Sequence, residues 1–349
     1  MKKAYFAGLA FLISIAALSR NAVADLYIPE PTPRIVINRI IETGRCDRCT
    51  ISSTDMSGAN LAGASLRASE ILRSKLTHVN LPGANLRYSV IREVDLSSAN
   101  LQLANFENAS LIYDTLDNAD LRGANFSNAN IASYFRSTNS SGARFVDAEI
   151  GDSDFSKSDL TNTDFTNASL QNVYLLETDL RGANFNSTSF ENVIYDARTQ
   201  LPEGFSPPDV GMYLLAAYSS AVGIRGYGLD LADQDLTGLN ISDSEISADF
   251  SRAVLDGAIF ENSITTDSSF LEASLINSRL CNARLWYTNL TRANLQGADL
   301  RVTDLRRAII DGANFKNAIY NADTQFPEGF DPIAAGAVFS TDESCDSEE

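Results

Sequence analysis

The sequence predicts an all-β solenoid of square coils, and three observations lead to this prediction. An apolar residue recurs at every fifth position through most of residues 50–195 and 230–320. A small residue, usually Ala or Ser, precedes most of these apolar residues by two positions. A similar eleven-residue phrase closes both stretches, at Tyr195–Phe205 and at Tyr320–Phe330. A period of five matches neither the helical period of 3.6 nor the strand period of 2, so the chain is expected to turn a corner every five residues.

The predicted interior of each coil holds the recurring apolar residue together with its small companion. Four five-residue units make one turn, so residues 20 apart stack at roughly the 4.8 Å spacing of neighbouring strands. Large and small side chains together fill a narrow interior without voids, and burial of each Leu or Phe contributes about 1.5–3 kcal/mol. Two polar residues, Ser140 and Thr265, fall at inward positions and are the expected weak points.

Residues 1–24 have the pattern of an export signal. Lys2 and Lys3 precede an apolar run over residues 4–18, and the small residues Ala22 and Ala24 precede Asp25, where cleavage is expected. A transmembrane anchor is the alternative, but the run is short for a span of about 20 residues. Cleavage changes the net charge from −18 to −21, which predicts an acidic mature protein in the periplasm or the thylakoid lumen, with no membrane attachment.

Residues 25–49 are expected to form an N-terminal arm and a capping helix. Thr32 is suited to cap a helix that has Pro33 at its first position, and Gly44 is suited to end it. Four apolar residues fall on one face at i, i+4 spacing: Val36, Ile37, Ile40 and Ile41. This face is predicted to seal the first coil, and docking of a partner is the alternative.

The four cysteines are predicted to form two disulfides. Cys46 and Cys49 follow the helix C-terminus, where the helix dipole disfavours a thiolate, and both fall on inward positions. A structural disulfide between them is therefore favoured over a redox CxxC site and over a free or metal-bound pair. Cys281 takes an outward position and Cys345 lies in the tail, and these two are predicted to pair because the tail can fold back along the wall.

The chain of 349 residues is expected to form two arrays, because each array has its own closing phrase. The first array with its cap spans 50–205, a linker spans 206–229, the second array with its cap spans 230–330, and an acidic tail spans 331–349. An apolar patch within the linker, Met212–Tyr218, predicts a short helix. The frame slips by one residue in each array, after Ile131 and after Ile246, which predicts a local bulge.

The repeated unit resembles the A(D/N)LXX signature of the pentapeptide-repeat family. The match is seen in Ala59–Gly63, Ala119–Gly123 and Ala298–Val302, and it extends over most of the mature chain. The chain therefore resembles a member of that family, and the leader pattern indicates an exported bacterial member. The resemblance implies a right-handed quadrilateral β-helix, and it implies much less about function.

One surface stands out from the repeated pattern. Stacking at 20 residues places Trp286 beside Arg306 and Tyr287 beside Arg307 on adjacent coils of one wall. Exposed aromatics paired with arginines dominate many interfaces, so these four residues are the candidate partner surface. The alternative is that cation–π contacts only fasten neighbouring coils together.

The sequence gives no reason to expect an enzyme. It has a single histidine, His78, and it contains no catalytic triad, phosphate loop, metal-ligand set or cofactor motif. The leading interpretation is a non-catalytic scaffold that binds an unknown protein partner and not nucleic acid, with homodimer formation left open. Two alternatives stay open, a DNA mimic that binds topoisomerases, as some acidic members of the family do, and a CxxC thiol–disulfide enzyme.

Overall fold

The structure is a computed structural model that describes residues 33–208, 211–342 and 345. Helix α1 (Pro33–Thr43) comes first. The strands that follow are β1 (Thr50–Ser52), β2 (Glu70–Leu72), β3 (Val90–Arg92), β4 (Ser110–Thr115), β5 (Asn130–Tyr134), β6 (Glu149–Asp154), β7 (Ser169–Tyr174), β8 (Ser189–Glu191), β9 (Val193–Asp196), β10 (Met212–Leu215), β11 (Arg225–Asp230), β12 (Glu245–Asp249), β13 (Ile319–Tyr320) and β14 (Val338–Phe339). The predicted leader, its cleavage site, the arm and the Thr32 cap lie outside the described residues.

The strands form a parallel β-solenoid, as the period of five predicts. Ile51 pairs with Ile71, and Ile71 with Ile91, so the register advances by 20 residues per coil. The other sides of each coil are joined by single bridges, for example from Asn60 to Asn80 and from Asn80 to Asn100. The side-chain amides of these asparagines form a ladder with N–O distances of 2.7 and 2.8 Å. The polar second position of each unit therefore ties coils together on the surface.

Each corner is a turn with a positive φ at the fifth position of the unit. Asn118 has φ 61° and Gly123 has φ 65°. The amide of the next small residue closes the turn, as when Ala119 N donates to the carbonyl of Leu116 at 2.9 Å. Glycine and asparagine adopt this backbone conformation at the lowest cost, which explains why they recur at that position.

The inward residues form the core. Apart from some residues at the caps and the coil ends, the predicted apolar positions are buried together with their small companions. Phenylalanines 19 or 20 residues apart stack face to face, with ring centroids 4.7 Å apart for Phe106 and Phe126 and 5.0 Å apart for Phe126 and Phe145. The two polar inward residues are also buried, and Ser140 Oγ lies 3.0 Å from Thr138 Oγ1. The predicted placement of the core is confirmed.

The two frame slips are local irregularities, as predicted. In the first, Ile131 pairs with Ile150 and Tyr134 with Asp154, so the ladder shifts by one residue within β5. In the second, β12 is one residue short after Ile246: Tyr227 pairs with Ser247 and Leu229 with Ala248, so β11 bulges opposite the slip. Each slip shortens one side of one coil, and the stacking continues on both sides of it.

The prediction of a helix at the junction was wrong. Met212–Leu215 is strand β10, which pairs in parallel with β9 and so extends the sheet of the first array. The five-residue frame already runs through the following segment, where Ala221 is buried at an inward position and Gly226 takes the next one. The sequence did not reveal this frame, because Ala221 and Gly226 place small residues where a large apolar residue marks the other units. Ile194 of the first array belongs to the buried cluster of the second, so the cores meet.

The two closing phrases fold in the same way. Thr199 Oγ1 donates to the carbonyl of Leu175 at 2.6 Å, and its counterpart Thr324 Oγ1 donates to the carbonyl of Leu300 at 2.8 Å. Ring pairs with centroids 5.0 and 4.9 Å apart cover the coil ends, Phe185 with Phe205 and Phe315 with Phe330. A strand follows each phrase and pairs in parallel with the strand at its start, β10 with β9 and β14 with β13. The register is the same in both pairs.

Helix α1 covers the start of the first coil. Gly44 has φ 66° and its amide donates to the carbonyl of Ile40 at 2.8 Å, which ends the helix as predicted. The side chain of Ile40 is buried in the first core. Ile41, however, is 57% exposed, because it lies about 100° around the helix from Ile40. The expectation that both residues seal the coil was therefore wrong for Ile41.

Candidate functional site

The candidate partner surface is a corner of the second array. Two adjacent coils expose there the side chains at the same two positions of the five-residue unit. Trp286 and Tyr287 stand on one coil, and Arg306 and Arg307 stand 20 residues later on the next. The guanidinium carbon of Arg306 lies 5.5 Å from the centre of the Trp286 ring, and that of Arg307 lies 5.3 Å from the centre of the Tyr287 ring. The four side chains line a shallow cavity of about 350 Å³.

The two arginines of this surface differ in their partners. Arg306 is held by Asp304, with Nε–Oδ1 and Nη2–Oδ2 distances of 3.0 and 2.7 Å. Burial of Asp304 opposes its ionisation, but hydrogen bonds from Arg306 and Trp286 outweigh burial, so the pKa of Asp304 is lowered. Arg307 donates to the hydroxyl of Tyr287. Within the described residues Arg307 forms no salt bridge, and it therefore presents an exposed positive charge.

A second stacked set on the first array resembles this surface. Tyr88, 44% exposed, has Arg67 at 5.1 Å and Arg87 at 5.3 Å from its ring centre. Arg87 is paired with Glu107 at 2.6 Å. A cation–π contact by itself is therefore compatible with fastening of coils. Arg67, like Arg307, is exposed and forms no salt bridge within the described residues, so what distinguishes the candidate surface is that two aromatic rings converge there.

Both cysteine pairs are joined in the structure. Cys46 and Cys49 form a disulfide at the start of the first coil, and Cys281 and Cys345 form the second. Cys46 is fully buried and Cys49 is half-buried, so an attacking thiol has little access to this pair. Cys281, expected on an outward position, is fully buried. The reason is that the tail folds back over it, which also brings Asp342 onto the Arg301 side chain.

The described residues offer no assembled catalytic or metal site. His78 is exposed at a corner with φ 56°. No group of three or more His, Cys, Asp and Glu side chains in the described part of the chain is arranged to hold a metal ion. Two aspartates near the start of the second array are held by cationic side chains, because Asp230 pairs with Lys157 and Asp233 pairs with Arg252, both at 2.7 Å. Among residues 33–208, 211–342 and 345, no helix has the length and apolar character of a membrane span.

Sequence reasoning missed a larger feature, which we call the tyrosine groove. Its volume is about 710 Å³. It is lined by Tyr113, Tyr134, Tyr174 and Tyr227 together with Asp152 and Asp154. The signal was present in the sequence, since Tyr134, Asp154 and Tyr174 occupy one column of the ladder. The whole groove was hidden because the frame slip interrupts the 20-residue spacing between Tyr113 and the later coils, and because Tyr227 comes from the segment taken as a linker.

Comparison with known protein families agrees with the repeated sequence pattern. The family model for eight copies of the pentapeptide repeat matches residues 45–87, 74–111, 248–286 and 287–319, and a second model, described as a pentapeptide repeat region, matches residues 115–185. The search of curated proteins gives no match.

Similar solved structures include HetL, a pentapeptide repeat protein involved in heterocyst differentiation regulation from Nostoc sp. strain PCC 7120. It is 21% identical, covers 81% of this chain and 95% of its own, and has a TM-score of 0.21. QnrB1, a plasmid-mediated fluoroquinolone resistance protein, is 16% identical over 82% of this chain and 92% of its own, with a TM-score of 0.18.

A pentapeptide repeat protein from the Arabidopsis thaliana thylakoid lumen is 23% identical over 34% of this chain and 67% of its own, with a TM-score of 0.14. Likenesses of this strength do not transfer a function to the chain. The repeats, their stacking and the family models together identify it: the chain belongs to the pentapeptide-repeat family.

Proposed function

We propose that the protein is an exported, non-catalytic binding protein that captures a protein partner through Trp286, Tyr287, Arg306 and Arg307. The observation that carries this proposal is the convergence of two exposed aromatic rings with the exposed guanidinium of Arg307. Trp, Tyr and Arg supply most of the binding energy in many interfaces. In a chain of net charge −18 a positive aromatic corner favours a partner that presents carboxylates there.

Export to the periplasm or the thylakoid lumen is supported by the leader pattern and by the cysteines. Disulfides persist in oxidising compartments and are rare in the cytosol, and the structure joins all four cysteines in pairs. A fusion to alkaline phosphatase, which is active only outside the cytoplasm, tests this part. Phosphatase activity that depends on residues 1–24 is expected, and activity of a cytoplasmic reporter at the same fusion point would contradict it.

The charge pattern supports protein capture over mimicry of DNA. A DNA mimic needs rows of unneutralised negative charge, because the phosphate backbone dominates recognition. On this solenoid several carboxylates are instead neutralised by the arginine two residues later in the chain. The pairs are Asp120–Arg122, Asp179–Arg181, Asp299–Arg301 and Asp304–Arg306, with N–O distances of 2.5–2.8 Å.

The experiment that tests capture uses the mature protein as bait in an envelope fraction. The double variant Trp286→Ala, Arg307→Ala is expected to lose the captured band while the melting temperature changes little, since both side chains are exposed. Tyr88→Ala is the matched control, because it removes an equally stacked aromatic from the other array. Equal capture by all three proteins, or equal loss in both variants, would contradict the proposed surface.

A further inference from the structure

The tyrosine groove exists because the first frame slip removes a residue from one wall. The corner column runs through Glu93 and Tyr113 and resumes at Asp152 and Asn172, all four with positive φ. The coil between Tyr113 and Asp152 has no residue in this column, since it contains 19 residues instead of 20. The wall is therefore notched at that coil, and the side chains above and below the notch face an open space.

The groove has the size and elongated shape of a binding site. Its volume of about 710 Å³ lies within the 300–1,000 Å³ typical of ligand pockets. Tyr134, Asp154 and Tyr174 stack on three successive coils, which gives the groove a floor along the solenoid axis. The amide of Tyr227 donates to the hydroxyl of Tyr174 at 3.0 Å, so the groove continues across the junction onto the second array.

Two exposed aromatic faces in this groove have no cation over them, whereas four other exposed rings of the protein do. Arginines lie over Tyr88, Tyr134, Trp286 and Tyr287. Within the described part of the chain, no lysine or arginine lies over Tyr113, which is 67% exposed, or over Tyr227, which is 51% exposed. Their faces carry the negative end of the ring quadrupole and are free to receive a cation.

The charged groups of the groove are predominantly acidic. Asp152 is exposed and accepts a hydrogen bond from the Asn172 amide at 2.8 Å. Asp154 lies between two tyrosines, and burial raises the pKa of its carboxyl, so a cation placed beside it would stabilise its charged form. The cation in the groove, Arg136, is already neutralised by Asp117, with Nε–Oδ2 and Nη2–Oδ2 distances of 3.0 and 2.5 Å.

We propose that the tyrosine groove binds an organic cation, the guanidinium or ammonium group of an arginine or lysine on an extended segment of a partner protein. The rings of Tyr113 and Tyr227 receive the cation face-on, and Asp152 and Asp154 supply the opposite charge. A groove that follows the solenoid axis over at least three coils suits an extended chain. This site lies apart from the Trp286 surface and prefers the opposite charge, so it goes beyond the function proposed above.

The test measures binding of a fluorescein-labelled peptide, four Gly-Arg repeats with blocked ends, to the mature protein by anisotropy at about 0.15 M salt. Saturable binding is expected. The double variant Asp152→Asn, Asp154→Asn should raise Kd about tenfold or more, and so should Tyr113→Ala. Tyr113→Phe should leave Kd unchanged, because the ring face is kept. Free arginine methyl ester and tetramethylammonium are added as competitors, and competition by either at low concentration would indicate a small cation as the natural ligand.

Three controls separate the groove from general attraction to an acidic protein. Asp235→Asn removes an exposed carboxylate outside the groove, and Tyr88→Ala removes an aromatic on another coil. A peptide of four Gly-Glu repeats reverses the charge. Equal weakening by Asp235→Asn, equal binding of the acidic peptide, or unchanged binding to the groove variants would overturn the proposal. Thermal melting of each variant shows whether loss of binding reflects loss of fold.

Discussion

Asp114 is a buried carboxyl in a column that otherwise uses hydroxyl or apolar residues, and this predicts an unusual pH dependence. In this column the amide of one coil donates to a side-chain oxygen on the next, as Ser133 N does to Ser153 Oγ at 3.1 Å. Asp114 plays the same part, because its Oδ1 accepts from Val94 N at 2.8 Å. Its second oxygen, Oδ2, is buried and has no hydrogen-bond partner in the structure.

The magnitude follows from the pKa of this group. Burial of Asp114 raises its pKa from 3.8 to about 7, against the hydrogen bonds from backbone amides. Since the folded state holds this proton more tightly than the unfolded state, its contribution to stability is fully present below pH 3.8 and falls as the pH rises to about 7. A shift of roughly three pKa units corresponds to about 4 kcal/mol. Above about pH 7 the contribution of Asp114 to stability does not change further.

The variant Asp114→Ser keeps the acceptor for Val94 N and removes the unpaired oxygen. Compared with the unsubstituted protein, its free energy of unfolding should be similar near pH 4 and higher by up to about 4 kcal/mol at pH 8. Urea unfolding followed by circular dichroism from pH 4 to 8.5 measures this difference. Asp235→Ser is the control, because hydrogen bonds from Thr237 lower the pKa of Asp235 and so reverse the sign. A pH-independent difference for Asp114→Ser would refute the reasoning.

Two further predictions concern the junction and the tail. A Cβ at Gly226 would lie 2.7 Å from Leu229 Cδ1, so Gly226→Ala should overpack the junction and lower the free energy of unfolding in urea by about 1–3 kcal/mol. Gly151→Ala is the control and should change little, because its Cβ would meet nothing closer than 3.9 Å. Equal effects of the two substitutions would contradict the described packing. Cys345→Ser should release the tail from Cys281 and lower the free energy of unfolding of the second array by about 2–4 kcal/mol. An unchanged melting curve would show that the tail adds no stability.

The fold could be predicted from the sequence because one local rule is repeated. Each unit specifies an inward residue, a small neighbour and a corner, and the stacking of 20-residue coils follows without long-range information. The same rule placed Trp286 above Arg306 and Tyr287 above Arg307. It failed at Gly226, since a glycine at an inward position carries no apolar signal. For Cys281 the predicted bond to Cys345, 64 residues away, is present, and the returning tail buries this outward position.

By itself, the sequence determined the coil, its interior and the phrases that close each array, because these depend on residues five to twenty positions apart. Only the tertiary structure decided where the arrays meet, how β10 continues the first sheet, and that Tyr113, Asp154 and Tyr227 line one groove. The physical reason is that a shortened coil changes the register between walls, so the 20-residue spacing that aligns Tyr134, Asp154 and Tyr174 does not by itself place Tyr113 and Tyr227 beside them.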